Sequence, residues 1–144
     1  MLSQILIGSV LIFATVFVQA ASISALNAVI TRFSLHMTHP ISFLKSTILL
    51  SFIVLWLVIG LVITCWLWAG LYLYVDALPT LEESLYFSIV TFATLGYGDV
   101  VLNEQWRMLS SITALNGLIL LGVNTAYLAQ VLSDYRSKQQ NSRT

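Results

Sequence analysis

The chain has 144 residues, of which 58% are apolar and only 8% charged, with six basic side chains balancing six acidic ones. So few charges cannot cover the surface of a soluble domain, which makes the bilayer the natural solvent. Zero net charge without a basic cluster argues against a nucleic-acid partner. The single cysteine, Cys65 in an apolar run, cannot form an intrachain disulfide and reads as a small buried hydrophobe.

Residues 2–30, 46–75 and 108–133 carry no charged side chain. Each run exceeds the roughly 20 residues a helix needs to cross the hydrocarbon, with a margin that allows tilt. Three transmembrane helices are therefore predicted. In the first, residues 1–31, the small residues Gly8, Ala21, Ser24 and Ala25 favour close helix packing. Val18-Gln19-Ala20 has the small-residue look of a signal cleavage site. A secretory signal needs a basic start, however, and Met1-Leu2-Ser3-Gln4 has none, so the run reads as a retained helix.

Residues 32–45 form a predicted loop bracketed by Arg32 and Lys45. It contains His36 and His39, for which a solvated loop position is the default and proton sensing the alternative. The second span covers about 46–74, and Trp66, Trp68, Tyr72 and Tyr74 near its end read as interfacial anchors.

A short loop through Pro79 then leads to Thr80, a predicted helix N-cap, with Glu83 three residues later completing a capping box. Glu82 and Glu83 have no nucleophile or metal-ligand cluster beside them, so they cap a helix rather than form a catalytic pair. From Leu81 to about Ala93 the sequence reads as a helix roughly 18 Å long at 1.5 Å per residue, too short to span. It is predicted to enter the membrane and stop partway.

Beyond it, Gly96 and Gly98 alternate with Leu95 and Tyr97. Glycine readily takes positive φ, and alternating handedness turns successive carbonyls toward one side. Bare carbonyls in hydrocarbon are prohibitively costly unless they line a wet pathway or coordinate an ion. A re-entrant helix leading into such backbone implies an ion path, and the helix's negative C-terminal end favours a cation there.

The third span, about 108–134, carries two intramembrane polar residues, Asn116 and Asn124. Facing a cavity and bonding a neighbouring helix are equally open for them. Arg136, Lys138 and Arg143 follow, with Tyr135 as an anchor at that end, and the polar tail 136–144 is expected to be disordered. Only Arg107 is basic on the opposite side, among Asp76, Glu82, Glu83, Asp99 and Glu104. The positive-inside rule therefore predicts a cytoplasmic 31–45 loop and C-terminus, and an external N-terminus.

The stretch Tyr86-Phe87-Ser88-Ile89-Val90-Thr91-Phe92-Ala93-Thr94-Leu95-Gly96-Tyr97-Gly98-Asp99 resembles the potassium channel pore family. In that family four such loops meet on an axis and their carbonyls replace the hydration shell of K⁺. The resemblance implies a selectivity filter of Thr94, Leu95, Gly96, Tyr97 and Gly98, with K⁺ held at Thr94, Leu95, Gly96 and Tyr97 and the Thr94 hydroxyl at the innermost site. Leu95 departs from the commoner valine, but its carbonyl is the working group. Asp99 is similar to the carboxylate that anchors the filter's outer end, and Tyr86 stands where the family often has a tryptophan bonded to it. Val90 occupies a place where some members carry a glutamate behind the filter. Gly117 falls at the inner-helix hinge, followed by Leu118, Leu121, Thr125 and Ala129 as a cavity face. The similarity covers about residues 46–134.

The expectation is an all-α membrane protein with three transmembrane helices, a re-entrant pore helix and a selectivity filter in a tetrameric potassium channel pore architecture. Residues 46–135 form the pore domain, and the extra first helix is placed at its periphery. The chain is expected to be a multi-pass protein of the cell membrane, a homotetramer in contact with lipid, with permeant K⁺ and no cofactor. It is not expected to be an enzyme, and the absence of an arginine array argues against steep voltage sensing. A weakly selective cation channel and a non-conducting accessory subunit are the competing functions.

Overall fold

The computed structural model describes residues 2–34 and 43–141. His36 and His39, and with them any proton-sensing role of that loop, lie outside the described residues. Four helices make up the described fold: α1 (Leu2–Ser34), α2 (Phe43–Tyr74), α3 (Leu81–Phe92) and α4 (Arg107–Asn141). The three long ones contain membrane-length apolar spans over Leu2–Arg32, Ser46–Tyr74 and Arg107–Asp134, and α3 is the predicted short helix.

Helix boundaries run past the apolar runs. α1 continues through Arg32 to Ser34, and α4 continues to Asn141 rather than ending near residue 134. The first residues of the predicted tail are therefore helical, because polarity marks where lipid ends and does not by itself break a helix.

α3 packs against both α2 and α4, and the main core lies where the three meet. Trp68 and Tyr72 are fully buried there, so they are core residues rather than interfacial anchors. Trp66 and Tyr74 remain exposed. The reason is geometric: α3 covers the last turns of α2 and removes that face from the interface. The Tyr72 ring meets Phe87 of α3 edge-on at 5.3 Å between centroids, and its hydroxyl lies 2.6 Å from Thr113 Oγ1 of α4. One side chain thus ties three helices together. Cys65 is buried in the same cluster.

α1 lies against both of the other long helices. It packs on α2 and also directly on α4, and of the three long helices α2 and α4 touch each other least. At one end the Gln4 amide donates to the Gln105 carbonyl, and Gln4 Oε1 accepts from the Met108 N–H at 3.2 Å. At the other, Leu26 packs with Ile53 and Leu57 of α2, and with Tyr127, Leu128 and Val131 of α4 at the margin. α1 and α4 therefore run parallel. Asn116 and Asn124 both bond α1, which settles the open choice in favour of helix–helix contact. Of the small residues in α1, Gly8 makes the predicted close approach, since a Cβ there would lie 2.9 Å from Ile112. Ala21, Ser24 and Ala25 are exposed.

Candidate functional site

Two helix ends shape the segment between α2 and α4. α2 terminates in a Schellman motif: Asp76 takes a positive φ of 52°, the Ala77 N–H reaches the Tyr72 carbonyl at 2.9 Å, and Asp76 N–H reaches Leu73 at 3.1 Å. Aspartate tolerates that conformation better than most residues. The chain turns back at once, and Thr80 caps α3 by accepting the Glu83 N–H at 3.1 Å. Glu82 and Glu83 then sit in the first turn, where the helix dipole favours negative charge.

α3 ends by the same device. Thr94 takes φ 59°, its N–H bonds the Thr91 carbonyl at 3.0 Å, and Leu95 N–H bonds the Val90 carbonyl at 2.9 Å. Gly96 and Gly98 then take φ 54° and 78°. Every second residue from Thr94 to Gly98 is therefore left-handed, while Leu95 and Tyr97 between them are not. The glycine spacing points to two of these positions. Thr94 is the one it misses, because a β-branched residue at positive φ is an outlier that the sequence would argue against.

This segment leaves the protein core. Residues 93–99 are all exposed in the single chain, Leu95 by 57% and Tyr97 by 68%. Among the described residues, no hydrogen bond is accepted by the carbonyls of residues 94–98. A Cβ placed on Gly96 or Gly98 would meet nothing within 4 Å, so backbone conformation rather than crowding within the chain calls for glycine.

The outer end of the segment is tied back to α3. The Tyr86 hydroxyl donates to Asp99 Oδ2 at 2.6 Å, so the tyrosine makes the bond that the resembled family often makes with a tryptophan at that place. That bond first, and the N–H groups of Asp99 and Val100 after it, hold the Asp99 carboxyl below its ordinary value of 3.8. A depressed carboxylate keeps its folded-state advantage above the ordinary value and loses it only as pH falls through the lowered one. The tie is therefore intact at neutral and mildly acid pH. Val90 is buried behind the segment, with the hydroxyls of Ser84, Ser88 and Thr91 as the polar groups of that buried face.

Below the segment, Gly117 of α4 lies directly under the last turn of α3. A Cβ there would approach Phe92 C at 2.8 Å and Phe92 Cα at 2.9 Å, both backbone atoms. Glycine at 117 is what lets the inner helix touch the end of α3. Leu118, Thr125 and Ala129 are exposed and Leu121 is half-buried, so the candidate cavity face is open in the single chain. The structure thus lays the 94–98 segment between the C-terminal end of α3, with Gly117 against its base, and the Tyr86–Asp99 tie at its outer end.

Residues 51–134 match the model of a family described as Ion channel. The matched stretch runs through α2, α3, the exposed segment and α4, covers more than half of the chain, and leaves α1 outside it. The chain matches no curated protein and no solved structure.

Proposed function

The chain belongs to this ion channel family, and from that premise we propose that four copies form a potassium-selective channel. It is a multi-pass membrane protein that passes ions and is not an enzyme. The observation that carries the proposal is the backbone of Thr94 to Gly98. It is left-handed at every second residue, exposed, and bare of hydrogen bonds at its carbonyls. Such a strand facing lipid would leave several polar groups unpaired at a cost of several kcal/mol each. Four strands around a closed fourfold axis turn those carbonyls toward one another and toward a dehydrated cation. The C-terminal end of α3 adds its negative dipole end to the same place. K⁺ is held by the carbonyls of Thr94, Leu95, Gly96 and Tyr97, and the face of Leu118, Leu121, Thr125 and Ala129 lines a cavity below. Transport is passive, down the electrochemical gradient.

Orientation follows from the basic residues. Arg32 and Lys45 flank the end of the bundle opposite Asp99 and Glu104, so that end is cytoplasmic, the filter opens outward, and the N-terminus is external. With Cys65 replaced, Ser3→Cys is expected to label from outside and Ser34→Cys only from the cytoplasmic face. The detergent-purified protein should have the mass of a tetramer, and it should carry K⁺ into liposomes. Labelling at position 34 from outside would reverse the pore. A stable dimer as the conducting species would rule out the fourfold filter, and a tetramer without flux would mark an accessory subunit.

Tyr86→Phe removes one hydroxyl with little change of shape. Single-channel records of this variant are expected to show lower conductance or faster inactivation, because the Asp99 tie is gone. Records that match the parent would mean the bond does not support the filter.

A further inference from the structure

We propose that α1, the helix outside the family-matched region, sets the position of the inner helix α4 through three polar rungs inside the membrane and thereby governs channel opening. This rests on the reading of the chain as a conducting channel. Asn116 Nδ2 donates to Thr15 Oγ1 at 2.8 Å, Gln19 Nε2 donates to Asn124 Oδ1 at 2.6 Å, and the Tyr127 hydroxyl donates to Asn27 Oδ1 at 2.7 Å. All three rungs join α1 to α4, between residues 15 and 27 of the one and 116 and 127 of the other.

α1 itself is anchored on the outer helix. Trp56 Nε1 of α2 donates to the Ser22 carbonyl at 3.0 Å, and Leu26 packs dry against Ile53 and Leu57. Gly60 of α2 leaves room for Gln19, since a Cβ there would stand 2.8 Å from Gln19 Oε1. Near the filter segment α2 and α4 are joined through α3 and the Tyr72–Thr113 bond, whereas along residues 15–27 it is α1 that packs against both helices.

The rungs differ from the apolar anchor in one respect that suits a movable joint. Gln19 Oε1, Asn124 Nδ2 and Asn116 Oδ1 are buried and have no partner among the described residues. A static clamp in hydrocarbon would be expected to fill these sites, because each empty one costs free energy. Here a spare acceptor and a spare donor sit on the two amides that already bond each other. A slide or rotation of α4 can therefore exchange one pairing for another instead of losing it outright, which is what a two-position element requires. Asn124 also precedes Thr125 of the candidate cavity face. Any rotation of α4 that re-aims Thr125 must alter the Gln19–Asn124 rung.

The test is a double-mutant cycle read as open probability in single-channel recordings of the full-length tetramer. Gln19→Leu, Asn124→Leu and their combination remove the central rung, and Tyr127→Phe removes only a hydroxyl from the third. Every variant is first checked for tetramer mass, and unit conductance and ion selectivity are expected to stay at parental values. Interhelical hydrogen bonds in membranes average an effect of about threefold in an equilibrium, which four subunits moving together raise to about eightyfold. All variants should shift the open–closed equilibrium in the same direction, and the double variant should shift it no further than the larger single one. Unchanged open probability in all of them, shifts of opposite sign, or an additive double variant would overturn the proposal. A parent protein that does not conduct would overturn the channel reading and this inference with it.

Discussion

Gly96→Ala is expected to abolish selective K⁺ flux while the protein still inserts and assembles. Gly96 has φ 54°, and an L-residue in that region costs roughly 1–2 kcal/mol. One chain can absorb such a cost, as Thr94 does at φ 59° within its hydrogen-bonded helix cap. Gly96 has less support, its one backbone bond being a long 3.3 Å contact from its N–H to Val90. In the proposed tetramer four chains also add their costs, to about 4–8 kcal/mol if all four strands must be left-handed together. The strand should relax to another conformation and turn carbonyls off the axis. Liposome flux with K⁺ and with Na⁺ measures this directly. Parental K⁺ preference in the alanine variant would remove residues 94–98 from the ion path.

Gly117→Ala should have an effect of similar size for a different reason. The added methyl would press on the carbonyl and Cα of Phe92, backbone atoms at the end of a capped helix that cannot rotate out of the way. Overpacking of this kind costs about 1–3 kcal/mol per site and sometimes more. It acts at the base of the filter segment in every subunit. A lower melting temperature of the tetramer and reduced K⁺ flux are expected together. Gly122→Ala is the matched control, because a Cβ there meets nothing within 4 Å and alanine favours a helix by about 1 kcal/mol. If Gly117 served only as a flexible hinge, its alanine variant would keep parental stability and change gating alone.

Much of this was legible in the sequence because it rests on chemistry with a short range. Charge-free runs mark the spans, Thr80 and Glu83 mark the start of α3, and alternating glycines mark two of the three left-handed residues. The Tyr86–Asp99 bond joins residues only 13 apart, and the family resemblance supplied the pairing. What stayed hidden depends on distant partners. Thr15, Gln19 and Asn27 look like scattered polar residues in an apolar helix until residues about 100 positions later are placed beside them. Trp68 and Tyr72 have the composition of an aromatic belt and lose that role because the core formed with α3 and α4 closes around them. Gly117 shows a helical glycine to the reader of the sequence, whereas the need for it lies in the backbone of Phe92. Helix ends beyond the apolar runs were missed because hydropathy records the membrane boundary and not the hydrogen-bond ladder.

The potassium selectivity assigned to residues 94–98 is tested most directly by the reversal potential of the purified tetramer in a planar bilayer, with K⁺ on one side and Na⁺ on the other. The carbonyl-lined filter predicts a potential displaced far toward the K⁺ equilibrium value, changing sign when the two solutions are exchanged. A reversal potential near zero in both arrangements would contradict it and leave a channel that passes cations without choosing between them.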